Sequence, residues 1–515
     1  MSSAPEPVDL STAGEVGDVS RWLREDGSAR DGAPLGRLLS AQSVRAPDSP
    51  SFTFEDRTWT FAELEAAANR MARALALRGV VAGDTVIISM GNGPAYPQAV
   101  YALWKLGATP APISQRLTPV EFEQVVALAQ PRMIVGPSNK ACTGTPLFDV
   151  DEPLPADLDD RPLPATISCP GKILGSGGST GRPKLIVDPR NSCWGPDKAV
   201  PYRPAGSIIL NAGPIYHTAP FAFAIVALAE GCHVVCMERF DAAEWLRLTE
   251  RYRPTFATMV PTMMSRIAKL DPAVSQAADL SSFKVIMHSS APCPEEVKRW
   301  WLDRIAPRVL HEVYGGTERV GATLIDGEEW LAHPGSVGRA VGGDEIVILG
   351  ESGMPLPPGE IGEIFFRRAV GPGTGYRYIG AESKITGDLD GLGDMGWVDA
   401  EGYLYIADRR TDMILVGGIN VYPAEIEAAI EQLPSVLCAA VIGLPDGDIG
   451  NRIHAIIELA PGCAAPAAAD AMAFIAPAVA ALAPFKRPRS IEFTHERLRD
   501  DAGKVRRGAL RTARM

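Results

Sequence analysis

Nine consecutive residues, Ser176-Gly-Gly-Ser-Thr-Gly-Arg-Pro-Lys184, carry three glycines, three hydroxyls and two cations. Gly177, Gly178 and Gly181 let the backbone turn tightly and present bare N–H groups to an anion. Ser176, Ser179 and Thr180 add hydroxyl donors, and Arg182 and Lys184 add charge. That inventory suits a polyphosphate. The spacing is not that of the usual phosphate loop, in which lysine directly follows the last glycine. On its own the stretch is equally readable as a surface turn.

Three further groupings could do chemistry. Leu310-His-Glu-Val-Tyr-Gly-Gly-Thr-Glu318 reads as a strand entering a glycine turn. A strand C-terminus in an α/β sheet is where ligands usually sit. There Glu318 could hold Mg²⁺, and Thr317 could meet a phosphate oxygen. Asp394 and Arg409 place a carboxylate and a guanidinium around one predicted strand, and Gly417-Gly418 permits a ligand to approach the backbone closely. Lys504 stands in the basic segment Gly503-Lys-Val-Arg-Arg507 near the C-terminus. Separately, each of these also reads as a turn or as solvated surface charge.

The elements that must position these groups alternate. Thr60 and Glu63 form a capping box ahead of apolar residues at helical spacing (Phe61, Leu64, Ala68, Met71, Leu75). A buried strand is expected over 84–89, a helix over 95–106 stopped by Gly107, and another helix opened by Thr118, Pro119 and Glu121. Strands are expected at 132–135, 255–260 and 284–288, with a helix from Pro294 to Ile305. Such alternation predicts parallel sheets covered by helices. Beyond about Gly335, turn residues separate short apolar strands and suggest a smaller β-rich unit. From Pro423 onward helix and strand alternate again, and 464–483 reads as an alanine-rich helical segment.

Bulk properties narrow the classes. A length of 515 residues implies more than one domain. A net charge of −12 disfavours nonspecific nucleic-acid binding, so an anionic substrate must meet a local cationic site. The eight cysteines form no CxxC pair, and Cys232, His233 and Cys236 lack a second pair to complete a zinc site. Free thiols in a reducing cytoplasm are expected. The polar, acidic N-terminus does not read as a signal peptide, and no membrane span is expected.

Taken in order, the four segments resemble the adenylate-forming superfamily of acyl-CoA synthetases, luciferases and nonribosomal-peptide adenylation domains. The resemblance covers about Leu39 to Arg511. It implies an α/β fold: a large N-terminal domain of helix-covered sheets with a β-rich subdomain over 39–410, and a small mobile α+β C-terminal domain over 411–515. Residues 1–38 would be an N-terminal extension. It further implies that a carboxylate attacks the α-phosphate of ATP, and that the thiol of CoA then displaces AMP. By that likeness the loop and Lys184 would hold the β- and γ-phosphates, Thr317 the α-phosphate, and Glu318 the Mg²⁺. Asp394 and Arg409 would bind the ribose. Ser290, Ala291 and Pro292 would line the adenine site beside Gly315 and Gly316, with Tyr314 stacking on the base. Lys504 would neutralise charge between carboxylate and phosphate, and His217 would shape the acyl pocket and its gate. The small domain would rotate about Thr411 to present Gly417 and Gly418 beside the thiol channel.

Within the superfamily, Val421-Tyr-Pro-Ala-Glu-Ile-Glu427 resembles the CoA ligases. No carrier domain follows, and the C-terminal Ser-Lys-Leu expected of a luciferase is absent. The loop variant is similar to bacterial ligases for bile acids, steroid side chains and terpenoid acids, so a bulky acid is expected. Gly316 either leaves room for such an acid or merely serves the turn. A homodimer stays open. Several positions depart from the family pattern: Gly177 and Leu185 in and after the loop, Thr411 at the hinge, and Asp500 and Asp501 before the lysine. These raise two alternatives to the full reaction. One is an enzyme confined to thioester formation from supplied acyl-AMP. The other is a catalytically silent binding homologue, against which the presence of Lys504 argues.

Overall fold

The computed structural model describes residues 16 and 18–515 apart from 156, 177–182, 196–202, 410–411, 417–418, 448–449 and 501–502, with Ser176 and Arg409 described by backbone alone. The elements that matter for the site are β1 (Pro50–Phe54), α1 (Phe61–Leu77), β2 (Lys172–Ser176), β3 (Lys184–Asp188), β4 (Ile208–Asn211), β5 (His233–Cys236), β6 (Phe256–Met259), β7 (Val285–Ser289), α2 (Glu295–Leu302) and β8 (Leu310–Gly315). After them come β9 (Arg377–Ile379), β10 (Leu389–Val398), β11 (Leu404–Arg409), α3 (Pro423–Glu431), β12 (Val436–Asp446), β13 (Gly450–Leu459) and β14 (Ser490–Thr494).

The local signals act where the residues place them. Thr60 accepts from the Glu63 amide, and the Glu63 carboxylate accepts from the Thr60 amide, so two orphan donors of α1 are satisfied. The Thr118–Glu121 box does the same for Pro119–Ala129, and Gly107 ends Ala95–Leu106 in the left-handed conformation. The alanine-rich stretch is less helical than expected. Only Ala471–Val479 forms an α-helix; a 3-10 turn, Ala468–Asp470, precedes it, and Pro477 lies inside it.

Six strands run parallel in the order β1-β5-β4-β6-β7-β8. The carboxyl ends of the inner ones therefore lie along one edge. Apolar side chains on the faces of this sheet, among them Trp245, Trp301, Phe256 and Ile286, are buried in two large clusters. Past β8 the sheet turns antiparallel through Ala322–Asp326 and Ser336–Ala340 into β11 and β10. The expected β-rich unit is thus a continuation of the same sheet. A four-stranded parallel sheet holds Thr85–Ile88, and β9-β3-β2 form a small antiparallel sheet of their own. Nearer the C-terminus, β12, β13 and β14 carry α3 and Ala471–Val479 over a separate apolar core. This is the α/β architecture with a small second unit that the sequence reading anticipated.

Candidate active site

Loops that leave the parallel strands at their carboxyl ends supply one group of the candidate residues. From β4 the chain runs through Gly213 to His217 and Thr218. From β7 it runs into Ser290, Ala291 and Pro292, and from β8 into Gly316, Thr317 and Glu318. Ser290 has φ +79°, a conformation that a residue with a Cβ rarely holds. Such strain collects at functional sites. The Thr317 and Thr218 hydroxyls are hydrogen-bonded at 2.5 Å, which joins the β8 turn to the His217 segment.

The lysine at the end of the glycine loop opens β3. Lys184 Nζ donates to the Tyr378 hydroxyl at 2.7 Å and lies 3.6 Å from Glu318 Oε1. The Tyr378 hydroxyl in turn donates to Glu318 Oε1 at 2.6 Å. Burial and the neighbouring carboxylate push this phenol far above its ordinary range, so it keeps its proton and remains a donor. Tyr378 stands on β9, beside β3 in the small sheet. The turn at Glu318 and the β9 segment meet closely at Gly375. A Cβ there would come within 2.6 Å of the Arg319 carbonyl oxygen and 2.8 Å of that of Glu318.

At the other end of the β8 turn, the Tyr314 hydroxyl donates to Asp394 Oδ2 at 2.7 Å. The Tyr314 ring lies near-parallel to Phe366, with centroids 6.4 Å apart. Asp394 on β10 and Arg409 on β11 are register partners across the antiparallel pair, so a turn and a strand pair bring together residues fifteen positions apart. The neighbouring Asp408 accepts from the Ala424 amide at 2.9 Å, anchoring the first turn of α3.

The C-terminal lysine comes to this edge from the small unit. Asp500 Oδ1 accepts from the Lys504 amide at 2.9 Å, and the Gly503 and Lys504 backbones bond back to Asp500. The turn seats Gly503, φ +74°, over Val260 and Thr262 of the large unit. His217 sits close enough for charge at Lys504 and Asp500 to act on it. Burial, followed by smaller opposing effects of Asp500 and Lys504, holds its imidazole down to about 4. A neutral ring at physiological pH suits a pocket wall better than a charged ligand.

The structure therefore brings together Lys184, Tyr314, Gly315, Gly316, Thr317, Glu318, Asp394, His217 and the Lys504 turn, with the backbone of Arg409. Gly177, Gly178, Ser179, Thr180, Gly181, Gly417, Gly418, Thr411 and Asp501 lie outside the described residues. Two positions, the departure at Leu185 and the glycine at 316, acquire local explanations. Leu185 is fully buried in a cluster with Ile173, Val187 and Phe122. At Gly316 a Cβ would fall 2.9 Å from Glu318 Oε2 and 3.0 Å from Leu392 Cδ1 and Cδ2, so protein atoms already occupy that space. Sequence reasoning missed Tyr378 and Thr218. The alternation Tyr376-Arg-Tyr378 signalled a short strand, but nothing in it pointed to Lys184.

Glu318 also fits a magnesium site. Mg²⁺ favours hard oxygen donors and is commonly held by one or two carboxylates together with substrate phosphates. Glu318 offers one carboxylate beside a lysine suited to phosphate. Among the described residues no group of three or more His, Cys, Asp or Glu could form an all-protein cage.

The architecture has recognisable counterparts. Residues 39–377 match the AMP-binding enzyme model and residues 425–504 match the AMP-binding enzyme C-terminal domain. The chain belongs to the AMP-binding enzyme family, and its class is that of the AMP-forming acid–thiol ligases. It is 32% identical to a feruloyl-CoA synthase of Amycolatopsis sp, over 93% of this chain and 98% of that protein. It is 30% identical to the fatty acid–[acyl-carrier-protein] ligase ScoC of Streptomyces coeruleorubidus, over 93% and 96%. Its fold matches O-succinylbenzoate Coenzyme A synthetase from Bacillus subtilis in complex with ATP and magnesium ion. The TM-score is 0.77 at 25% identity, covering 92% of this chain and 98% of that one. Among the described residues no helix is long and apolar enough to cross a membrane.

Proposed function

We propose that this protein is an acyl-CoA ligase that converts a bulky, ring-bearing carboxylic acid, ATP and CoA into acyl-CoA, AMP and diphosphate through an acyl-adenylate. The convergence of Lys184, Glu318 and the Lys504 turn on one sheet edge carries this reading. In the first half-reaction a carboxylate oxygen attacks the α-phosphorus, and the bond to the bridging oxygen breaks as diphosphate leaves. Lys184 and the 176–181 loop hold the outer phosphates. The Thr317 hydroxyl bonds an α-phosphate oxygen, and the Lys504 ammonium stabilises charge shared between carboxylate and phosphate. Tyr314 stacks on adenine near Ser290, Ala291 and Pro292, and Asp394 with Arg409 takes the ribose hydroxyls. Mg²⁺, held by Glu318, would supply charge neutralisation at the phosphates.

In the second half-reaction the CoA sulfur attacks the acyl carbon, the bond to AMP breaks, and the thiol proton passes to solvent. The 411–515 domain turns about Thr411 to bring the Gly417-Gly418 hairpin to the thiol channel. The acid class rests on the loop variant and on the ring-bearing acid named for the feruloyl relative. Gly316 lends it no support, because Glu318 and Leu392 fill that space. Asp500 Oδ1 caps the Lys504 amide, so this carboxylate helps to place the lysine turn.

Diphosphate release from acid and MgATP without CoA tests the first step. Mass spectrometry of products from a mixed acid panel tests the substrate, with CoA and a phosphopantetheinyl carrier protein offered as alternative thiols. Faster turnover of linear fatty acids than of every ring-bearing acid, polycyclic acids included, would sink the bulky-acid assignment. Absence of diphosphate release would sink the adenylation.

A further inference from the structure

A neutral hydroxyl stands between the two opposite charges of the phosphate end. Tyr378 accepts from Lys184 at 2.7 Å and donates to Glu318 at 2.6 Å, while cation and carboxylate remain 3.6 Å apart. The Lys184 ammonium also lies 4.0 Å from the centroid of the tyrosine ring. The Lys184 and Glu318 side chains are only 25% and 12% exposed. Lys184 and Glu318 thus form an ion pair that the phenol bridges, accepting from the ammonium and donating to the carboxylate. Through this bridge the phenol fixes where the cation and the carboxylate stand relative to each other. Its position is fixed by β9 pairing with β3, where Tyr378 faces Ile186 in register, and by the bare Gly375 that lets this segment lie on the Glu318 turn.

We infer that Tyr378 is a positioning residue for the nucleotide and its metal, holding the Lys184 ammonium and the Glu318 carboxylate side by side through its hydroxyl. This rests on the proposed ATP-dependent reading. Tyr378→Phe removes the hydroxyl and keeps the ring. Calorimetric titration with a non-hydrolysable ATP analogue and Mg²⁺ should show affinity weakened about tenfold, the loss of roughly one charge-assisted hydrogen bond. KM for MgATP and the Mg²⁺ concentration for half-saturation should rise together. KM for the acid and the rate of thioester formation from preformed acyl-AMP should stay within twofold. Tyr378→Leu, which also removes the ring contact with Lys184, should lose at least as much affinity. Unchanged analogue binding in both variants would overturn the inference while leaving the wild-type ligase reading intact. Equal loss of the acyl-AMP half-reaction would overturn it too, by exposing a general structural role. A wild-type protein that releases no diphosphate would instead count against the function, and the calorimetry would still test Tyr378.

Discussion

At the scale of single residues, Lys504 and His217 invite direct tests. Lys504 is carried on a turn whose amide is capped by Asp500. Lys504→Ala should slow adenylation about 10²- to 10³-fold, the usual loss when one preorganised charge donor is removed. Thioester formation from supplied acyl-AMP should be nearly unaffected, and rapid-quench assays of each half-reaction separate the two. His217 is held down to about 4, mainly by burial. The folded protein therefore binds fewer protons than the unfolded chain between about pH 4 and 6.5. Stability from this neutral ring is complete above about 6.5 and is lost as pH falls through 4. Discounted for solvent, the contribution is about 2 kcal/mol. Urea midpoints should fall across that window in the wild type and more shallowly in His217→Gln.

At the scale of elements, the small β9-β3-β2 sheet links core and site. Leu185 packs beneath it and the neighbouring Lys184 reaches Tyr378 and Glu318. Leu185→Ala should cost about 3 kcal/mol of stability through the cavity it leaves. KM for MgATP should stay within about twofold, because the lysine is placed by strand pairing more than by this methyl packing. A large rise in KM with little thermal destabilisation would show instead that Leu185 shapes the phosphate grip. Much at this scale was legible in the chain. Caps at Thr60 and Thr118 and the stop at Gly107 are local chemistry, fixed by residues three or four positions apart. The end of strand β8 at its glycine turn was readable for the same reason. The alanine-rich stretch misled, because composition favoured a longer helix than the Ala471–Val479 that forms, which carries Pro477 within it. Tyr378 was invisible, since the distance from Lys184 to Tyr378 is set by a strand pairing across 194 positions.

At the scale of the whole molecule, the small C-terminal unit is packed so that its lysine turn faces the large unit. Gly503 rests over Val260 and Thr262, Lys269 Nζ donates to the Val436 carbonyl at 2.6 Å, and Arg506 meets Glu121 at 3.0 Å. The last pair is 54% and 37% exposed, so it contributes at most about 1 kcal/mol. That is enough to shift a balance between domain poses up to about fivefold. Arg506→Glu should slow adenylation by two- to fivefold without lowering the melting temperature, whereas Glu121→Lys also removes the carboxylate of the Thr118 capping box and should lower it. Glu121→Lys combined with Arg506→Glu should restore the rate but not the melting temperature lost with the cap. Failure of the swapped pair to restore the rate would mean that this contact does not govern the pose. The sequence alone determined the class of chemistry and the alternating layers, because motif chemistry and capping are written in neighbouring residues. Only the tertiary structure decided which groups meet: Tyr314 with Asp394, Lys184 with Tyr378 and Glu318, and His217 with the Lys504 turn. Those meetings depend on strand order and on domain packing, which bring together residues that no local pattern can relate.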